Sequence, residues 1–149
     1  MRPRWAGLAR GFGADLTFNP TKEDFHEAVL SATDGRGVDI AIVAAPSSEA
    51  QKSAIEVLAH HGRINFFGGL PKENSITSID ANLVHYKELI ITGTTGSSVK
   101  QYRTSLNLVR EGLVKVDSLI THKFPIKDIA EAIESVRSKK GLKTIIVPN

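Results

Sequence analysis

The segment Val38-Asp39-Ile40-Ala41-Ile42-Val43-Ala44-Ala45 carries one charge in an otherwise unbroken apolar run. A run that dense and that short marks a parallel strand covered on both faces, because a strand with one wet face alternates apolar and polar residues. Parallel neighbours cannot be joined by a hairpin; each crossover needs a dozen or more residues and is usually a helix. The run therefore commits the chain to helices alternating with strands.

The flanking sequence supplies that alternation. Leu16-Thr17-Phe18 is a brief strand candidate closed by Asn19-Pro20, and Thr21 is placed to cap a helix with Phe25, Ala28, Val29 and Ala32 on its apolar face. Asp34-Gly35-Arg36-Gly37 breaks it. After the apolar run, Ser48-x-x-Gln51 reads as a capping box, Ala54, Ile55 and Leu58 form the buried stripe, and Gly62 ends the helix, with His60 and His61 as its polar end. Arg63 to Phe67 is the next strand, stopped by Gly68-Gly69-Leu70-Pro71. Ile76 and Ile79 suggest a short extended piece, followed by a helix near Asp80–His85 and a strand at Glu88–Gly93. Ser98-x-x-Gln101 opens another helix, with Val99, Tyr102, Leu106 and Val109 directed inward and Gly112 after its end. Leu119-Ile120 is a short strand, Pro125 starts a helix bearing Ile126, Ile129, Ala130, Ile133 and Val136, Lys139-Lys140-Gly141 ends it, and Lys143–Val147 is a terminal strand.

Composition narrows the function classes. A chain of 149 residues with 41% hydrophobic and 23% charged residues can bury one core. Its net charge of +3 is scattered, apart from the short Arg137–Lys140 stretch, which argues against nucleic acid or an anionic membrane surface as partner. There is no cysteine, so disulfides and thiolate zinc sites within this chain are excluded. No apolar run approaches the roughly 20 residues of a membrane-spanning helix, and the basic Met1–Trp5 start leads into no apolar leader segment, so a cytoplasmic location is expected.

Several passages, taken in order, carry a family resemblance. They are Phe12-Gly13-Ala14-Asp15 before Leu16–Pro20, then Gly35-Arg36-Gly37-Val38-Asp39, and then His61-Gly62-Arg63-Ile64 through Gly68-Gly69. The most specific is the tail: Leu119–Ile126, Glu131-Ala132 and Gly141–Pro148. Together they resemble one family, the medium-chain, zinc-type alcohol and polyol dehydrogenases of the sorbitol and threonine dehydrogenase type. The likeness runs from about Arg4 to the C-terminus and implies a fold class: α/β, an incomplete Rossmann-type parallel sheet holding the family's strands 3, 4, 5 and 6. Residues 1–117 would form a partial dinucleotide-binding domain without its first βαβ unit, and 118–149 a segment returning to the catalytic domain. The Gly-x-Gly-x-x-Gly loop, which brings backbone against a pyrophosphate at a helix N-terminus, does not occur in this sequence. Neither do the family's cysteine metal ligands.

By resemblance, Ala45, Pro46 and Ser47 approach the adenosine half of NAD or NADP, though a simple capped turn explains the same residues. Phe67, Gly68 and Gly69 would lie against the nicotinamide carboxamide, where glycine admits a close ligand; a turn needing positive φ is the competing account. Thr92, Gly93 and Thr94 would add backbone contacts near the nicotinamide, unless they form an ordinary exposed turn. Lys143 would reach the cofactor's pyrophosphate as a point charge, or is a solvated strand-edge lysine. Arg4 would touch the adenine or its ribose phosphate. The five histidines form no ligand or triad spacing, so no catalytic residue is assigned.

The resemblance thus implies a truncated member of a family that transfers hydride between a nicotinamide cofactor and a small alcohol or polyol, with zinc held elsewhere in the intact family. This chain alone is expected to be inactive. The alternative is a non-catalytic α/β binding or oligomerisation module. Partners implied are the cofactor, a homo-oligomeric copy paired through Glu88–Gly93, or a complementing N-terminal subunit.

Overall fold

The computed structural model describes residues 3–139 and 141–148, with the backbone alone for residues 3–5. The chain separates into two compact units, Met1–Gly96 and Ser97–Asn149.

The first unit holds helices α1 (Pro3–Gly11), α2 (Phe25–Ser31), α3 (Ser48–Glu56) and α4 (Ala81–Tyr86) and strands β1 (Val38–Val43), β2 (Leu58–Phe66) and β3 (Ile90–Gly93). The strands form one sheet in the order β1-β2-β3, and both pairings are parallel. This is the strand–helix–strand alternation that the apolar run demanded. The core gathers under one face of the sheet, where Val43, Ile55, Leu58 and Ile64 are buried, with Ala41, Phe66, Leu83 and Ile91 packed against them. Removing side chains such as Ile55 and Leu58 from water contributes about 1.5–3 kcal/mol each.

Directly paired residues of parallel strands share a face, so Ile40 and Ile42 stand beside Arg63 and Asn65, and these beside Ile90 and Thr92. That second face is bare: Ile40 is 68% and Ile42 69% exposed. The expectation that the Val38–Ala45 run is covered on both faces therefore holds on one face only.

Local details depart from the sequence reading in instructive ways. Leu16–Phe18 forms no ladder, because no described strand lies beside it; its residues are irregular. The cap of α2 is Asp24, whose carboxylate accepts from the Glu27 N–H, whereas Thr21 is held in a turn by the Asn19 side chain. The cap of α3 is Ser47 rather than Ser48, leaving Gln51 buried and free to bond elsewhere. Helix α3 stops at Glu56 and Leu58 already belongs to β2, so His60, His61 and Gly62 lie in an irregular part of that strand instead of at a helix end. There the register jumps from the Val38–Leu58 pair to the Ile40–Arg63 pair, and His61 takes a φ of 59°. Ile76 and Ile79 sit in irregular backbone. Gly37, at φ 84°, is required twice over: a Cβ there would also overlap the Val57 carbonyl.

The second unit contains α5 (Val99–Arg110), β4 (Ile120–Pro125), α6 (Ile129–Arg137) and β5 (Lys143–Val147). The Ser98–Gln101 capping box of α5 is complete, and Gly112 follows at φ 71°. Its apolar residues Val99, Tyr102, Leu106 and Val109 are exposed, contrary to the inward placement expected from their spacing. Strand β4 is longer than the Leu119-Ile120 expectation and pairs in parallel with β5. Pro125 ends that strand, and a short 3-10 turn at Ile126–Asp128 precedes α6. Helix α6 packs Ala132 and Ser135 inward while Ile129, Ile133 and Val136 face out. The Lys140 part of the expected helix stop lies outside the described residues.

Candidate functional site

Parallel strands present all their carboxyl ends on one side, and in open α/β sheets ligands bind there. The registers Val43–Phe66 and Phe66–Gly93 place the three strand ends level with one another. Three of the sequence-assigned groups are thereby brought to one rim: Ala45-Pro46-Ser47 after β1, Phe67-Gly68-Gly69 after β2, and Thr92-Gly93-Thr94 at the end of β3. Lys143 begins β5 opposite Ile120, in the second unit, with its side chain exposed. The Arg4 side chain lies outside the described residues.

The β1 exit is tied down from within. The Ser47 N–H donates to the Ala45 carbonyl at 2.9 Å, and the Ser47 hydroxyl accepts from the Ala50 N–H at 3.2 Å. The capped turn is therefore real, and it leaves the amides of Ser48 and Glu49 at the mouth of a nine-residue helix. A few residues in, Gln51 is held by Thr77, whose hydroxyl donates to the Gln51 amide oxygen at 2.7 Å.

The β2 exit explains its two glycines differently. The N–H groups of Phe67 and Gly68 both donate to the Val43 carbonyl, at 3.0 and 2.9 Å. A Cβ on Gly68 would come within 2.9 Å of the Ala44 and Ala45 backbone. Neither Gly68 nor Gly69 has positive φ, so the turn-geometry account is replaced by close backbone packing at Gly68. Gly69 has open space about its α-carbon, and among the described residues its N–H makes no hydrogen bond. Of the pair, Gly69 is the one a ligand can approach.

At the β3 end, Thr92 and Gly93 are strand residues rather than a turn. The Thr92 hydroxyl donates to the Ile64 carbonyl at 2.9 Å and accepts from the Asn65 amide at 3.3 Å, and the Thr94 hydroxyl donates to the Asn65 amide oxygen at 3.0 Å. Asn65 ties the two exits together and was missed in the sequence. The available signal was a lone amide inside an apolar strand, where a polar side chain needs a partner.

The capped mouth of α3 and the open Gly69 thus stand on one rim of a parallel sheet. A family profile describing zinc-binding dehydrogenases matches residues 2–111. The chain belongs to that family. It is 32% identical over 142 residues to the L-threonine 3-dehydrogenase of Pyrococcus furiosus, a match that takes in 94% of this chain and 40% of that protein. The crystal structure of an alcohol dehydrogenase from Thermotoga maritima superposes with a TM-score of 0.90 at 25% identity, covering 99% of this chain and 41% of that one. A Sinorhizobium meliloti protein assigned as a zinc-binding dehydrogenase, crystallised bound to NADP, shares the fold with a TM-score of 0.90 at 22% identity, over 99% of this chain and 43% of that one. The chain spans about 40% of the length of the curated relatives it matches.

The residues present do not fit the family's metal. The sequence lacks cysteine, and among the described residues no cluster of three His, Cys, Asp or Glu side chains could hold an ion. No helix of the described residues is long and apolar enough to cross a membrane.

Proposed function

We propose that this chain supplies the nicotinamide-side rim of an NAD- or NADP-dependent dehydrogenase acting on a small alcohol or polyol in the cytoplasm, and that it does not complete the reaction alone. The observation that carries the reading is the level alignment of the three strand ends, which sets an open, unpaired Gly69 amide beside the helix mouth at Ser47. In this role the Ser48 and Glu49 amides face the adenosine half, the Gly69 backbone meets the nicotinamide carboxamide, and the Asn65–Thr92–Thr94 network holds the β3 exit beside it. Lys143 is assigned to the pyrophosphate on the resemblance alone. When bound, the cofactor supplies or accepts the hydride; the chain's own residues bind and orient it.

The test is a backbone NMR titration of the isolated chain with NADH and NADPH. The expected result is saturable shifts at Ser47–Glu49, Phe67–Gly69 and Thr92–Thr94, with affinity weaker than millimolar because the pyrophosphate loop is not in this sequence. Shifts scattered over the surface, or none, would overturn the reading. A micromolar affinity would contradict the incomplete-site part of it.

The bare apolar sheet face favours a second reading, a non-catalytic binding module. Under that reading no nicotinamide shifts appear and the chain binds only protein.

A further inference from the structure

We infer that α4 and β3, with the turn between them, form an edge segment that opens cooperatively while β1, β2 and α3 stay folded, and that Lys87 is its latch. Opening and latch belong to the free chain; only their consequence for the rim rests on the cofactor reading.

Little apolar burial holds this segment. No residue of α4 or β3 is buried, and its contribution to the core is the partly buried Leu83, Leu89 and Ile91. By contrast, α3 and β2 carry the fully buried Ile55, Leu58 and Ile64. Strand β3 pairs with β2 alone among the described strands, from Arg63–Ile90 to Phe66–Gly93. Short ladders with few buried apolar contacts supply the low-energy openings of a native protein.

The remaining ties are polar and sit at the two ends of β3. At the end away from the rim, residue 87 grips the α3–β2 turn twice. Its ammonium donates to the Leu58 carbonyl at 2.6 Å and, more weakly, to the Glu56 carbonyl at 3.4 Å, while its own carbonyl accepts the His61 N–H at 2.7 Å. The cation also meets the negative end of the α3 dipole there. His61 and Glu88 both take left-handed backbone, at φ 59° and 52°, which a residue with a Cβ adopts at a cost. Both turns are thus held against their own preference. The contact from the His61 ring to the Glu88 carboxylate, 3.2 Å, is exposed on both sides and adds little.

At the rim, Asn65 bonds Thr92 and Thr94 through neutral, exposed groups. A half-buried, charge-assisted bond outweighs those, so Lys87 is the latch. Opening would carry Thr92 and Gly93 away from Asn65 and Phe66. Under the cofactor reading the nicotinamide-side contacts exist only in the closed state, so ligand and latch favour each other.

Native-state amide exchange of the full chain, followed by NMR in low denaturant, tests this. The bonded amides of Val84, Lys87 and Leu89 and those of the β3 ladder should share one opening equilibrium, easier than that of the β1–β2 ladder. Lys87→Met keeps the side-chain length and removes the cation; it should speed edge-segment exchange about ten- to a hundredfold. Val29→Ala, at a buried position of α2, should speed the β1–β2 amides several-fold and leave the edge segment within about twofold. Edge amides that exchange at the β1–β2 rate in the unaltered chain would overturn the inference without any variant having to fold. Equal acceleration of both sets by Val29→Ala, or edge amides indifferent to Lys87→Met, would overturn it too. Excess NADH should slow the edge segment by about the ratio of its free concentration to its Kd. NADH that shifts the rim amides without slowing the edge segment would overturn the coupling to the rim. NADH that shifts no rim amide would overturn the cofactor reading, with the latch decided by the ligand-free exchange.

Discussion

The hydroxyl of Thr77 donates to the amide oxygen of Gln51 at 2.7 Å, joining irregular backbone between two helices to the first turn of α3, just behind the Ser47 cap. Gln51 is only 5% exposed, so this bond sits where water does not readily replace it. Gln51→Ala should therefore lower stability by about 1–3 kcal/mol, through a lost bond and a desolvated Thr77 hydroxyl. Denaturant titration reads the loss, and amide exchange should localise the loosening to residues 75–80. A change within about 0.3 kcal/mol would show that the bond contributes little.

The glycines after β2 should respond oppositely to alanine. Gly68→Ala forces a Cβ against the Ala44 and Ala45 backbone, an overpacking that costs about 1–3 kcal/mol. Gly69→Ala meets nothing, so its thermal midpoint should stay near that of the unaltered chain while NADH-induced NMR shifts at the rim diminish. Equal destabilisation by both would mean that Gly69 is also a packing residue.

The exposed Asp39 has its carboxyl held below the ordinary range, chiefly by hydrogen bonding from Arg36; desolvation opposes this, and the guanidinium's charge adds to the lowering. A depressed folded-state value stabilises the protein above the unfolded carboxyl midpoint, about pH 3.9, and the contribution is lost as pH falls through the folded midpoint. Carbon-detected NMR should find Asp39 titrating below that value. In Arg36→Gln the midpoint should rise toward it. An Asp39 midpoint that ignores Arg36→Gln would show the pair to be too solvated to couple.

Ser135 faces inward on α6, and among the described residues its hydroxyl has no hydrogen-bond partner. Removing an unsatisfied buried hydroxyl relieves its desolvation, so Ser135→Ala should stabilise the chain by about 1 kcal/mol. Thermal melts check the sign. A lower midpoint would mean that the hydroxyl has a partner in solution, such as an ordered water.

The local grammar of the chain was largely legible. The Ser98–Gln101 box, Gly112 after α5 and Lys143–Val147 as a strand all follow from side chains acting on backbone a few residues away. So did the rim residues, because a parallel strand's exit is set by where its apolar run stops. Caps shifted where two candidates stood close together, as with Ser47 and Ser48, since which hydroxyl reaches an amide depends on where the preceding strand delivers the chain.

Burial was not legible in the same way. Apolar spacing at Val99, Tyr102, Leu106 and Val109 specifies a helix with an apolar stripe, and the unbroken run at Val38–Val43 specifies a strand fit for a covered sheet. Periodicity marks which face seeks cover and is silent on whether anything covers it. Helix, strand and parallel order thus follow from local propensity and patterning, whereas the bare face at Ile40 and Ile42, the Asn65 network and the bond from Thr77 to Gln51 arise from contacts across many residues. Those contacts form only when the strands come together, and no window of sequence contains both partners.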